Sequence, residues 1–356
     1  MSQQFPDPFS VAELTDPEIA KALHLLQRED VVLDSKEHFL TSLHRRGETA
    51  AELAGFARAI LAECVPVNLV REESSPLLEL CGTGGDRAGF INISTAAMFV
   101  AAGAGARVVK HGNRGVSSRC GSADVLEALG IALHLRPEMV GIVLEKAGCV
   151  FLLASDFHPV LASLTALRKL LAARGQMTVF NLLGPLLNPA LPETQLTGIF
   201  NPGLLEFYAE ALGMLGRKKA WAVHGEGLHG VGGVDELSIS GPSSVVEMKQ
   251  GEGKEMLIRK FTLDPGGLGF PVLKSSESLL GGDATGNAGR IRAILSGCES
   301  GAACDMILLN AGAALHLAGI GSTLSESIAL ARESLDSRRA LKSLEMLCSA
   351  SVEGSV

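Results

Sequence analysis

The chain has 356 residues, enough for a large core and more than one domain, and carries a formal net charge of −8. Aromatic residues make up only 4% and no run of Lys or Arg occurs, which disfavours a base-stacking platform and a non-specific nucleic-acid surface. Seven scattered cysteines, with no close CxxC pair, argue against zinc and read as reduced, buried thiols of a soluble cytoplasmic protein.

The start, "MSQQFPDPFS", has neither a basic cluster nor an apolar stretch and is not expected to be a signal peptide. "LTDPEIAKALHLLQ" opens with Thr15 and Glu18 at capping-box spacing, with Pro17 suited to a first turn; "GETAAELAGFARAILAE" repeats the device with Thr49 and Glu52. Both predict helices, and little before residue 70 reads as strand. From Pro76 the texture alternates. "PLLEL" predicts a buried strand, followed by the loop "CGTGGD" (81–86) and the helix "AAMFVAAGAGA", with Ser94 or Thr95 as its cap. The region 91–109 is the longest apolar one, but Asn92, Ser94 and Thr95 make its start too polar to span a bilayer. "ARVVK" is a second strand, leading into "HGNRGVSSRCGS"; helices are expected from Ser122, with Gly130 as a left-handed cap, and over "RPEMVGIVLEKAG". A helical stretch, "HPVLASLTALRKLLAARG", and a turn, "NLLGPLLNPA", interrupt this pattern. It resumes with "TQLTGIF", "LLEFYAEALGMLG" and "KAWAVHG". "VDELSIS", "SVVEMKQG" and "EMLIRKFTL" read as hairpin strands, and the remainder from "NAGRIRAILSG" as helices. The alternation predicts an α/β fold with a mostly parallel sheet covered by helices.

A glycine-rich turn between a buried strand and a helix start lets backbone amides converge on an anion, with the helix dipole in support. The spacing is neither GxGxxG with a following acid nor a Walker loop, so a dinucleotide or P-loop site is disfavoured; a plain turn is the alternative. The loop after the second strand carries Lys110, His111, Asn113, Arg114, Ser117, Ser118 and Ser122. Loops at the carboxyl ends of neighbouring parallel strands face one crevice, so the two together can hold several phosphates. Asp235 and Glu236 of "VDELS" are either a solvated pair or, beside a polyphosphate, a seat for Mg²⁺, which takes one or two carboxylates plus phosphates and waters.

"GTGGD", "NIST", "KHGNRGVSSRCGSADVLEALG", "FNLLGPLLNPA", "VDELS", "GGDATGNA" and "NAGAALHLAGI" occur in that order, and the set resembles the anthranilate phosphoribosyltransferase family over residues 40–348. The resemblance implies transfer of a phosphoribosyl group from phosphoribosyl pyrophosphate (PRPP) to anthranilate in tryptophan biosynthesis. It also implies a nucleoside phosphorylase/phosphoribosyltransferase-like fold: an all-helical domain of residues 1–75 with 158–195 as its second segment, and an α/β domain of 76–157 and 196–356. A homodimer through the helical domain is implied, with no nucleic-acid or membrane partner. Gly82, Thr83, Gly85, Asp86, Asn92, Ile93, Ser94, Thr95, Lys110, His111, Gly112, Asn113, Arg114, Ser117, Ser118 and Ser122 would hold PRPP. Gly82, Asn113, His158, Arg168, Gly184 and Pro185 would form the acceptor pocket, and Ser94, Asp235 and Glu236 would serve two Mg²⁺ ions.

Negative charge grows on departing pyrophosphate, so aimed donors and cations are the main lever, and a neutral aromatic amine needs no strong base. Arg168 suits the acceptor carboxylate because a guanidinium binds it bidentately, although a helix arginine can also be merely solvated. His111 and His158 can equally serve as loop hydrogen-bonders. Phe90, Cys120, Ala162 and a long segment between Arg168 and Asn181 depart from the common pattern around the phosphate rim and acceptor channel. A pyrimidine nucleoside phosphorylase shares such a fold, but its loop reads KHS rather than "KHGNR" and gives the acid pair no purpose. A nucleic-acid-binding relative would lose GTGGD and gain a basic surface, and neither holds.

Overall fold

The structure, a computed structural model, describes residues 4–86, 88–115, 120–227 and 232–356. Ser117 and Ser118 lie outside the described residues.

The N-terminal helices start where their caps predict. Helix Asp16–Gln27 begins at Thr15, whose N–H and hydroxyl both donate to Glu18, at 2.9 and 2.7 Å. Helix Ala50–Ala62 begins at Thr49, which accepts from Glu52 N–H at 3.1 Å while its own N–H donates to the Glu52 carboxylate at 2.9 Å. Each reciprocal pair satisfies amides that the first helical turn leaves without partners. Together with helix Leu33–Arg46, these elements share one apolar core with helices Pro159–Ser163 and Thr165–Ala173 and with the turn around Phe180–Leu187.

Seven strands form one sheet: β1 (Leu77–Gly82), β2 (Arg107–Gly112), β3 (Cys149–Leu153), β4 (Thr194–Gly198), β5 (Lys219–Gly225), β6 (Ser243–Gln250) and β7 (Met256–Leu263), in the order β3-β2-β1-β4-β5-β6-β7. The first five run parallel; β6 and β7 are antiparallel additions. Both faces are covered. On β5, Trp221 and Val223 join the core that contains helices Ile93–Gly103 and Ala302–Leu317, whereas Ala220 and Ala222 join the core of the N-terminal helices. That split is the two-residue period of a strand buried on both sides. From β1 the chain goes to β2 and β3, then returns to lay β4 on the opposite side of β1. The sheet therefore reverses its winding between β1 and β4, and ligand crevices of open α/β sheets lie at the carboxyl ends of such strands.

Four expectations need correction. "VDELSIS" is not a strand: a single bridge, Val234 to Gly225, is followed by bends, because the segment crosses the sheet's end instead of extending it. Helix Ile93–Gly103 is capped at Asn92, two residues before the expected Ser94. The boundary expected at 195 falls inside β4, since Thr194 and Gln195 pair with Leu78 and Glu79. Only Cys81, Cys149 and Cys304 of the free thiols are buried, and Cys298 is exposed.

Candidate active site

The carboxyl ends of β1, β4 and β5 are glycines: Gly82, Gly198 and Gly225. The segment 234–238 passes directly over them. A Cβ on residue 198 would collide with the Asp235 carbonyl, and one on residue 82 with the Asp235 carboxylate; one on residue 225 would stand 2.5 Å from the Glu236 carbonyl. Glycine is needed here for close approach of one backbone to another. Behind the segment, buried Asn310 of helix Ala302–Leu317 grips the main chain of Leu237. Its carboxamide accepts from Leu237 N–H at 3.0 Å and donates to Leu237 C=O at 2.9 Å. Between the glycine ends and the asparagine clamp, the acid pair has no freedom to drift.

Asp235 and Glu236 thereby reach both sides of the glycine loop. Gly84, at φ +68°, donates its N–H to Asp235 Oδ2 at 2.6 Å; Ser94, at the helix start, donates its N–H to Glu236 Oε1 at 3.2 Å. Thr83 anchors the loop to β4, donating its N–H to Gly198 C=O at 2.9 Å and accepting from Phe200 N–H at 3.0 Å. Asp86 turns back on the loop, accepting from Ala88 N–H at 3.1 Å, and faces Asp235. Lys110, at the end of β2, lies beneath the acids. Its ammonium donates to Leu80 C=O at 2.6 Å and to Ser94 Oγ at 3.1 Å. Burial holds its pKa down, opposed by the attraction of Glu236 and Asp235 among others.

Asp235 and Glu236 therefore lie beside one buried cation, with Asp86 next to Asp235. Burial, then the nearness of Asp86 and Glu236, pushes Asp235 well above the usual carboxylate range. Burial pushes Glu236 up to about 8, against the pull of Lys110 and the Ser94 amide. Crowded, under-neutralised carboxylates that keep protons are a site in want of positive charge. No ready-made cage of three or more His, Cys, Asp or Glu groups exists among the described residues. Mg²⁺ takes one or two carboxylates and completes its shell with substrate phosphates and water. The donor set fits such an ion.

The end of the second loop meets the start of helix Ile93–Gly103. Asn92 donates its carboxamide N–H to Cys120 C=O at 3.3 Å, and Gly112 leaves room for the Ser122 hydroxyl, which donates to Asn113 C=O at 3.5 Å. Not every expected side chain faces this space. Ile93 and Thr95 are buried, so only the helix-start main chain is offered there. Arg114 is engaged with Glu127 at 2.7 and 2.9 Å and with Asp124 at 3.4 Å.

Towards the helical layer, His111 and His158 meet edge to face, ring centres 5.1 Å apart. Burial pushes His111 down to about 3 and lowers His158, so both rings are neutral at pH 7. The His158 Nε2–H donates to Leu187 C=O at 2.7 Å, while His158 Nδ1 and His111 Nε2 have no hydrogen-bond partner among the described residues. Arg168, on helix Thr165–Ala173, lies over the Phe180 ring at 5.9 Å and makes no ion pair among the described residues. Its side chain is exposed to solvent, and surrounding protein lowers its pKa by desolvation. Gly184 is exposed with open space where a Cβ would stand, and Pro185 C=O accepts from Gln195 at 2.6 Å. Hollows of about 430 and 420 Å³ open elsewhere, against Arg338–Lys342 and between β6, β7 and Leu205; neither includes these residues.

The sequence reading missed a polar layer beneath the loops. Glu79 of β1 is buried and accepts from His111 N–H at 3.2 Å; burial pushes it up to about 7, with Arg217 pulling the other way. The signal was present, since an acid inside "PLLEL" has to find partners in a strand covered on both faces.

Comparison with known proteins settles the family. A model of the glycosyl transferase family a/b domain matches residues 74–341. Anthranilate phosphoribosyltransferase of Roseiflexus castenholzii is 44% identical over 339 residues, covering 95% of each chain. The chain belongs to the anthranilate phosphoribosyltransferase family. A solved anthranilate phosphoribosyltransferase from Thermus thermophilus superimposes with a TM-score of 0.85 at 39% identity, over 98% of this chain and all of that one. The Saccharomyces cerevisiae anthranilate phosphoribosyltransferase, solved in complex with PRPP and Mg, superimposes with a TM-score of 0.82 at 27% identity, over 96% of this chain and 94% of that one. No helix among the described residues is long and apolar enough to cross a membrane.

Proposed function

We infer that this chain transfers the phosphoribosyl group of PRPP to the amine of anthranilate, releasing pyrophosphate, as a step of tryptophan biosynthesis. The observation that carries the reading is the acid pair strapped across the glycine ends of β1 and β4, bonded to Gly84 on one side and Ser94 on the other. Ser94, Asp235 and Glu236 hold Mg²⁺, two ions being expected, with Asp86 facing the same space. The bound metal supplies positive charge to the leaving pyrophosphate. The amides of Gly85 and Asp86 and the helix start, with the side chains of Asn92 and Ser122, seat the phosphates; Ser117 and Ser118 belong to the same set by family resemblance alone. Lys110 acts from below, as counter-ion to the acids and anchor of Ser94.

The acceptor enters from the helical side, where Arg168 pairs with its carboxylate and Asn113, His158 and the Gly184–Pro185 turn shape the pocket, with His111 of the PRPP side packed against His158. A neutral imidazole suits that role: it contacts an aromatic ring without adding charge. A small helical domain of residues 1–75 and 158–193 packs against the α/β remainder, and a homodimer through the helical domain in the cytoplasm completes the reading.

Incubation with PRPP, Mg²⁺ and a panel of ortho-carboxylated anilines, following loss of anthranilate fluorescence, tests it. Absence of turnover with every aniline overturns the reading. Phosphorolysis of uridine or thymidine in its place would identify a nucleoside phosphorylase.

A further inference from the structure

Asn287, within "GGDATGNA", lies on helix Ala284–Leu295 and is buried, far in sequence from either phosphate loop. Its carboxamide accepts from Gly282 N–H at 2.7 Å and donates to Asn92 Oδ1 at 3.0 Å; Asn92 in turn donates to Cys120 C=O at 3.3 Å. We propose that Asn287 is a positioning residue for PRPP, fixing the orientation of the Asn92 carboxamide and so joining the helix start at Asn92 to Cys120.

The polarity of this relay is determined at both ends by backbone. Gly282 N–H can only donate, so Asn287 must turn its oxygen toward it and its NH₂ toward Asn92. Cys120 C=O can only accept, so Asn92 must turn its NH₂ toward it and its oxygen toward Asn287. Each amide orientation thus follows from an unambiguous neighbour, not from an arbitrary choice of nitrogen and oxygen. The same helix start also braces the loop's main chain. Ile91 N–H donates to Leu279 C=O and Gly281 N–H to Gly89 C=O, both at 2.8 Å, and Phe90 bridges Leu280. Residues 89–92 are therefore pinned from one side by 279–282 and aligned by one carboxamide. The inference rests on the PRPP reading given above.

Asn287→Asp keeps the shape and the Gly282 bond but cannot donate to Asn92. Burial disfavours a carboxylate here, so a thermal melt checks that this variant folds, and Asn287→Ala, which adds no charge, is the second arm. PRPP is titrated calorimetrically with Mg²⁺ and without acceptor into wild type, Asn287→Asp, Asn287→Ala and both variants combined with Asn92→Ala. The expected result is PRPP binding weakened about tenfold in either single variant, the size of effect from losing one buried hydrogen bond. In the Asn92→Ala background no further loss is expected, because the relay is already cut. The KM for anthranilate should move less than about twofold, a split that general loosening of the fold would not produce. PRPP binding within about twofold of wild type in both single variants overturns the proposal. So does a loss that persists undiminished beside Asn92→Ala, which would mark charge repulsion or a collapsed helix. Because the titration lacks acceptor, an error about the amine appears in the turnover assay alone. Failure of wild type to bind PRPP overturns both readings.

Discussion

The carbonyl of Asp235 occupies the space that a Cβ on residue 198 would need. β4 can end beside β1 with the acid pair lying across both only because residue 198 is glycine.

Gly198→Ala should therefore disable the site even though it removes no chemical group. The added methyl meets backbone, which cannot rotate away, so the 234–238 segment must lift and release Gly84 and Ser94. A stability loss of about 3 kcal/mol is expected for such overpacking, with PRPP binding abolished. A thermal melt and a PRPP titration check it; unchanged PRPP affinity would mean that the acid pair tolerates displacement.

Glu236 makes stability depend on pH. A carboxyl with a folded pKa of about 8, against an ordinary 4.5, holds its proton more tightly folded than unfolded. Its contribution is most favourable below about pH 4.5 and declines as pH rises to about 8, and Asp235 shifts in the same direction. Without metal, Glu236→Gln should melt several degrees higher than wild type at about pH 9, and the gap should close toward about pH 5. Mg²⁺ must displace the protons, so its affinity for the PRPP complex should rise up to about pH 8 and weaken sharply in the variant. A pH-independent gap between the two melting curves would show that burial leaves Glu236 ionised.

His111, edge to face with His158, should not titrate in the physiological range. Burial pushes His111 down to about 3, so its ring resonance should remain at the neutral position from about pH 8 to pH 5 in an NMR titration, with His111→Asn supplying the assignment. A midpoint near 6.5 would show an imidazole open to water and free to act as a base.

Much of this site was legible because its chemistry is local. A glycine loop between strand and helix, a hydroxyl-rich loop after the next strand and an acid pair are each continuous in sequence, and the acid pair does meet the glycine loop at Gly84 and the helix start at Ser94. What escaped it is long-range. Nothing near Gly198 says that Asp235 passes above it, and Asn287 gains its meaning only from Asn92, which is distant in sequence. β3 escaped for another reason: "CVFLL" is a short apolar run without alternation, separated from helix Val140–Ala147 by Gly148 alone. Periodicity cannot distinguish such a run from the end of a buried helix. "VDELSIS" failed in the opposite sense, since its alternation reflects acids turned to a cleft and leucine turned to a core, without a partner strand.

Arg168 offers the sharpest test of the acceptor side. It is a partly desolvated cation resting on Phe180 with no carboxylate to neutralise it among the described residues, so an incoming carboxylate would gain a partner already in place. Losing a charge-assisted, bidentate pair costs on the order of 2–3 kcal/mol, so Arg168→Ala should raise the KM for anthranilate roughly 30- to 150-fold. The KM for PRPP should change little, because the phosphate loops lie on other elements. Arg168→Lys should recover only part of the loss, since an ammonium keeps the charge but not the planar fork. Stability should change little in either variant, because Arg168 is exposed and makes no ion pair among the described residues. Steady-state kinetics with each substrate varied in turn, beside a thermal melt, separates the outcomes. Equal loss for both substrates would make Arg168 a support for the helical layer, and the acceptor carboxylate would have to find another cation.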